Sequence, residues 1–150
     1  MVSTTTGHLE DLRSIIDRLL GDRSDEVLVV DPSEAVLAAV VAHLEARSSP
    51  PTVRVLGTKS ELQSTIRSFE TPDVITELVR SECLVFRHRP NSSGSSFVIT
   101  GDSMFVPLSE PGAVGGLTST DPALAARAFD VYLGQWLSAD KFWLPHAPVL

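Results

Sequence analysis

Four consecutive apolar residues, Val27, Leu28, Val29 and Val30, stand between the acids Asp25 and Glu26 and the pair Asp31 and Pro32. A run of that length, mostly β-branched, predicts a strand covered on both faces rather than a half-wetted one. Asp31 is placed to cap a following helix, Pro32 suits its first turn, and Glu34 stands at the capping-box position. That helix is predicted over about residues 32–46, with Val36, Leu37, Val40, Val41 and Leu44 on its apolar stripe. Upstream, residues 1–7 are polar and predicted to be a disordered start. Leu9, Leu12, Ile16, Leu19 and Leu20 then recur at helical spacing up to Gly21. This first stripe can cover the sheet or meet a second copy of the chain.

After the break at Pro50 and Pro51, Val53, Arg54, Val55 and Leu56 predict a second strand ended by Gly57. Thr58 and Glu61 form a capping-box pair for a helix that buries Leu62, Ile66 and Phe69. A short helix begins at Thr71 and Pro72 and turns Val74, Ile75, Leu78 and Val79 inward. A parallel strand pair with a right-handed crossover is the expected product. The pattern then changes. Residues 84–88 read as a strand, and residues 96–100 and 103–107 as a hairpin turned at Gly101 and Asp102, with Pro107 ending the returning strand or lying at an edge. Residues 112–116 read as a flexible connection. Asp121 and Pro122 open a last helix whose broad apolar face is Ala125, Ala128, Phe129, Tyr132, Leu133, Trp136 and Leu137. The fold class is therefore α/β: one mixed sheet of five strands, the first ones parallel and the later ones an antiparallel hairpin, with helices on both faces. Residues 8–150 make one domain.

Composition narrows the chemistry. The 150 residues include 43% apolar ones, enough for a sizeable core, and a single cysteine, Cys83, which excludes an intramolecular disulfide. Cys83 precedes an apolar run and reads as an inert, buried thiol. The start carries no apolar signal core and no run approaches membrane-spanning length, so a soluble cytoplasmic protein with no membrane partner is expected. The net charge is −7, and only Lys59 and Lys141 are lysine. An acidic, lysine-poor surface disfavours a phosphate backbone and fits a high-salt lineage.

Few motifs carry chemistry. Residues 31–34 lack both the dinucleotide fingerprint and the phosphate-loop pattern. Ser103 follows a hairpin turn with no histidine or acid placed to make a triad. His43 lies beside an apolar stripe as a satisfied or solvated side chain rather than a ligand. His88 and His146 lack metal-ligand spacing, and no metal or cofactor is expected. Arg87, His88 and Arg89 form the one local basic cluster, fit to hold an anion, to pair with acids such as Glu82, or to end a strand in solvent. Asp31, Gly57 and Thr58 sit at the carboxyl ends of presumed parallel strands, where open α/β sheets bind small molecules. These three, with Arg87 and His88, are the candidate effector-binding residues.

Residues 53–56, then Phe69 and the short helix to Leu78, then residues 84–87 resemble the amino-terminal domain of the TbsP-like haloarchaeal transcriptional regulators. The hairpin at residues 97–104 is similar to theirs, with a threonine and an acid flanking the turn at Thr100 and Asp102. Gly116, Leu117, Thr118, Asp121, Tyr132, Trp136 and Phe142 extend the resemblance over about residues 8–148. It implies a non-catalytic, phospholipase-D-like α/β domain joined to a DNA-reading winged helix, with DNA bound only through that other domain. Nothing after Lys141 is long enough for such a domain, so an excised domain or a standalone relative is expected. The phospholipase D signature, histidine-x-lysine followed by an aspartate, is missing: Gly57 precedes Lys59 and Ala139 precedes Lys141 by two positions.

The expectation is a regulatory domain that binds a small effector or a protein partner and forms a homodimer, with Leu12, Ile16, Trp136, Phe142 and Trp143 as contact candidates. Two alternatives are a small enzyme acting on an anionic metabolite through Asp31, Thr58, Arg87 and His88, and a purely structural interaction module. Arg87 and His88 leave a strand in opposite directions, which weakens the enzyme.

Overall fold

In a computed structural model that describes residues 2–6, 12–21, 25–69, 72–107 and 115–142, the apolar run forms β2 (Val27–Val30), whose four side chains are all buried. It pairs in parallel with β3 (Val53–Gly57), and β3 with β4 (Leu84–His88). On its other side β2 meets β5 (Phe97–Ile99) antiparallel, and β5 turns into β6 (Met104–Pro107). The hairpin closes where Thr100 donates its amide to Ser103 O at 2.8 Å and its hydroxyl to Asp102 Oδ1 at 3.0 Å. As expected, β2 lies near the centre of a mixed sheet.

Among the described residues the sheet has eight strands rather than five. β7 (Gly115–Ser119) adds to β6, β1 (Val2–Thr6) adds to β7, and β8 (Asp140–Lys141) adds to β4, giving the order β1-β7-β6-β5-β2-β3-β4-β8. The disordered start expected over residues 1–7 is thus replaced at Val2–Thr6 by a strand in antiparallel register with β7. None of the three added strands has an apolar alternation of its own. One is rich in serine and threonine, one begins with two glycines, and one is two residues long. Their neighbours in the sheet, not their own pattern, make them strands.

Helices lie on both faces. The larger layer holds α1 (Leu12–Leu20), α2 (Glu34–Glu45), α3 (Lys59–Arg67) and α4 (Pro72–Arg80). Ile15, Ile16, Val36, Leu37, Val40, Leu62, Ile66 and Ile75 from these helices share one core with Val27, Val29, Val53, Val55, Leu84 and Phe86. α1 reaches that core by packing on α2, where Asp17 Oδ1 lies 2.8 Å from Nδ1 of the buried His43. The opposite face is covered by α5 (Pro122–Ser138), which lays Ala128, Phe129 and Tyr132 against Leu28, Val30 and Ile99. Asp121 caps α5 as expected, its carboxylate accepting from Ala123 N at 3.0 Å. Leu137, assigned to the apolar face by spacing, is instead 67% exposed.

Burial also revises the dimer candidates. Ile16 is fully buried under α2, Trp136 is 3% exposed, and Phe142 is 8% exposed with its ring against Phe86. These three side chains are buried within the chain itself. Leu12 is half-buried against the same core. Trp143 and Leu9 lie outside the described residues.

Candidate functional site

The carboxyl ends of β2, β3 and β4 lie side by side, and the chain at each end does something different. After Val30 the backbone turns through Asp31 at φ 49°, the left-handed region that non-glycine residues rarely occupy. The Asp31 amide still donates to Leu56 O at 2.7 Å, continuing the ladder to β3. This twist takes Asp31 out of the cap position. Ser33 caps α2 instead, accepting from Val36 N at 3.2 Å. The Asp31 side chain, 4% exposed, turns toward the segment that follows β4.

That segment, residues 89–96, crosses the strand ends as a strap. The Arg89 amide donates to Gly57 O at 2.9 Å, and the guanidinium meets the Asp31 carboxylate fork to fork, with Nη1 3.0 Å from Oδ1 and Nη2 2.9 Å from Oδ2. Arg89 Nε donates to Gln135 Oε1 of α5 at 2.8 Å. The Ser93 amide and hydroxyl add bonds of 2.8 and 2.6 Å to Asp31 Oδ2, and Ser96 Oγ donates to Asp31 O at 2.6 Å. Burial of the carboxylate would raise its pKa, but the bonds from Arg89 and Ser93 and the Arg89 charge outweigh it and hold the group below its ordinary value. Asp31 is therefore an anion at neutral pH, fully engaged by the strap.

Clefts flank this strap. One, of about 340 Å³, opens between the start of α2 and the side of α3 and is lined by Asp31, Pro32, Ser33, Glu34, Glu61, Ser64, Thr65 and Ser96. The other, also about 340 Å³, lies toward α5 between residues 89–93, Tyr132 and Gln135. A third cleft, at the opposite end of β2, carries Asp25, Glu26 and Asp130 around Phe129 and is hostile to anions.

The other expected site residues separate. Thr58 caps α3 through Glu61 N at 3.3 Å. Gly57 makes room for that helix, since a Cβ there would stand 3.0 Å from Leu62 Cγ and Cδ2. Arg87 points to α5, donating from Nη1 to Trp136 O at 3.0 Å with its guanidinium 4.8 Å from the Trp136 ring centre. His88 points to the other face, edge-on to Phe142 at 6.3 Å. Of the five candidates, Asp31 alone is part of the polar cluster, with Gly57 contributing its carbonyl. The enzyme's combination of Asp31, Thr58, Arg87 and His88 is not assembled: Arg87 and His88 are on opposite faces and Asp31 is neutralised by Arg89. Among the described residues no group of three or more histidine, cysteine, aspartate and glutamate side chains could hold a metal, and no helix is long and apolar enough to cross a membrane.

Ser93, Ser96 and Gln135 were missed from sequence, and Arg89 was read as part of the basic cluster but not placed among the effector-binding candidates. For Arg89 a signal existed, because strand alternation puts it on the same side as Arg87, facing α5 and the end of β2. For the serines none existed: residues 91–95 read only as a loose turn, and Ser96 as the first residue of a strand.

A family model described as Transcriptional regulator TbsP-like, N-terminal, matches residues 4–146. Among solved structures the chain is similar to TrmBL2, an archaeal chromatin protein whose structure shows a novel mode of DNA binding, at 14% identity and TM-score 0.60 over 93% of this chain and 52% of that one. It is also similar to Nuc, a phospholipase D family member from Salmonella typhimurium, at 9% identity and TM-score 0.61 over 95% of this chain and 99% of that one. The chain spans about half the length of the TrmBL2 chain. At such identities the likeness is one of fold, and it agrees with the phospholipase-D-like architecture expected from sequence. Comparison with curated proteins gives no match.

Proposed function

Since this chain belongs to the amino-terminal family of the TbsP-like transcriptional regulators, we propose that it is a non-catalytic sensor domain that takes a small effector over the carboxyl ends of β2 and β3. The observation that carries the reading is the strap. Residues 89–96 are tied across the strand ends through one buried carboxylate, with an open polar cleft on either side. Clefts at this end of parallel strands are where open α/β sheets bind ligands. A regulatory role requires that binding be felt elsewhere, and the cleft at Ser33 and Ser64 lies between the first turn of α2 and the side of α3.

The test is a thermal-unfolding screen of small metabolites against the wild-type chain and a Ser64→Phe variant. Ser64 is exposed on α3, so the phenyl ring fills the cleft without entering the core. A compound that raises Tm in the wild type and not in the variant supports the reading. A panel with no such compound, or stabilisation indifferent to the substitution, overturns it.

Self-association and DNA contact through a further part of the regulator belong to the same proposal. With Ile16, Trp136 and Phe142 buried, the dimer contact falls to exposed apolar residues such as Leu117, Leu124 and Val131. Light scattering across a concentration series checks it: a mass that stays at 16.2 kDa throughout removes the homodimer.

A further inference from the structure

Four donors from one short segment surround the Asp31 carboxylate: Arg89 Nη1 and Nη2, the Ser93 amide and the Ser93 hydroxyl, all within 2.6–3.0 Å. A guanidinium fork beside a backbone N–H and a hydroxyl is the donor set with which proteins hold an external carboxylate or phosphate. Here the anion comes from the chain itself.

Arg89 has anchors of its own besides Asp31. It is bonded at Nε to Gln135 and at its amide to Gly57 O, two contacts that do not involve the carboxylate. Ser93 Oγ has a second acceptor in Ser95 O at 2.8 Å. Asp31, by contrast, holds its position with backbone at φ 49°, a conformation that its hydrogen bonds sustain. The strap has little else to hold its middle: residues 90–95 are exposed and carry no large apolar side chain. The cleft between the strap and Tyr132 gives a route from solvent to the Arg89 fork.

We propose that Arg89 and Ser93 form an oxyanion site that Asp31 occupies in cis, and that a small ligand with a phosphate or carboxylate group binds there by displacing the Asp31 carboxylate, untying the strap from the end of β2. The proposal rests on the effector reading and gives it a ligand class and a switch. Binding exchanges one anion for another at an unchanged cation, so the site stays neutralised while the strap changes state. The freed Asp31 lies beside the first turn of α2, which places the change against that helix.

The test vacates the site. In an Asp31→Gly variant the carboxylate is gone and the φ of 49° is one that glycine adopts freely. Inorganic phosphate and acetate are titrated separately by calorimetry into the wild type, Asp31→Gly and Asp31→Gly with Arg89→Gln, chloride holding ionic strength constant. The expected result is at least tenfold tighter binding of one or both anions by Asp31→Gly than by the wild type, lost in the double variant. Phosphate alone names a phosphoryl ligand, acetate alone a carboxylate. Equal binding by the folded Asp31→Gly variant and the wild type overturns the proposal, and leaves the effector reading standing if a metabolite still stabilises the chain through the Ser64 cleft. Should Asp31→Gly not fold, the wild type decides by NMR. A Ser93 amide resonance that moves with phosphate or acetate and not with matched chloride supports displacement, and one that moves with neither refutes it.

Discussion

A carboxylate as enclosed as that of Asp31 would, on solvation alone, take up a proton more easily than one in water. Arg89 and Ser93 reverse that tendency and lower its pKa. A carboxyl group whose pKa falls on folding stabilises the fold above its unfolded-state value, about 3.9, and loses that contribution as pH drops through the lower native value. Stability of the wild type should therefore fall more steeply below about pH 4 than that of Asp31→Asn, which has no such proton to gain. Urea unfolding at stepped pH measures it, and parallel acid limbs would contradict it. Arg89→Gln is a harsher change, since it strands the Asp31 charge with only serine donors. A loss of about 3 kcal/mol is expected for breaking a pair this buried, at 4% and 12% side-chain exposure. From sequence Asp31 was legible as a place but not in its role. Its position before Pro32 imitates a helix cap, whereas Ser33 holds the cap and the Asp31 carboxylate meets Arg89, far along the chain. Ser33→Ala should accordingly cost about 1 kcal/mol through α2, with the Asp31 cluster left intact.

Elements with a strong local pattern were legible, and elements made by their neighbours were not. The four buried residues of β2, the caps at Thr58 and Asp121, and the turn at Gly101 and Asp102 each declare themselves within ten residues. β7 does not, because its sequence reads as a flexible, glycine-rich connection. Gly116 shows why a glycine is there. A Cβ at this position would stand 2.2 Å from Val106 O and 2.8 Å from Pro107 Cα, so the two backbones approach too closely for any side chain. Gly116 lies in register with Pro107, which supplies no N–H, in the last pair of the β6–β7 ladder. Gly116→Ala should push β7 away from β6 and carry β1 with it, since β1 pairs only with β7. Hydrogen exchange should show faster amides in β6 and β7 while those of β2 and β3 keep their protection. Uniform protection in the variant would mean that the close approach is not needed.

At the scale of the whole chain, net charge sets the expectation for contact with DNA. The fold is shared with a chromatin protein whose structure shows DNA binding, but this chain spans only about half the length of that one. Its own surface carries a net charge of −7 at neutral pH. Non-specific affinity for duplex DNA grows with the number of phosphates neutralised, and each contact needs an accessible cation. The one local basic cluster does not supply them. Arg87 is stacked on Trp136 and bonded to its carbonyl, and Arg89 is occupied by Asp31 and Gln135. Elsewhere Arg54 is paired with Glu26, Arg13 with Asp17, and Arg80 with Glu77. The sequence revealed the scarcity of basic residues but not how many of them the fold engages, because partners such as Asp31 and Arg89 are 58 positions apart. Duplex DNA titrated with this chain at moderate salt should therefore give no saturable binding in the micromolar range. Lowering the salt should recover little, since the repulsion between net negative partners grows as screening weakens. Fluorescence anisotropy of a labelled duplex is the measurement. Micromolar binding with a steep negative salt slope would show that this chain carries a cationic face of its own and contacts DNA directly.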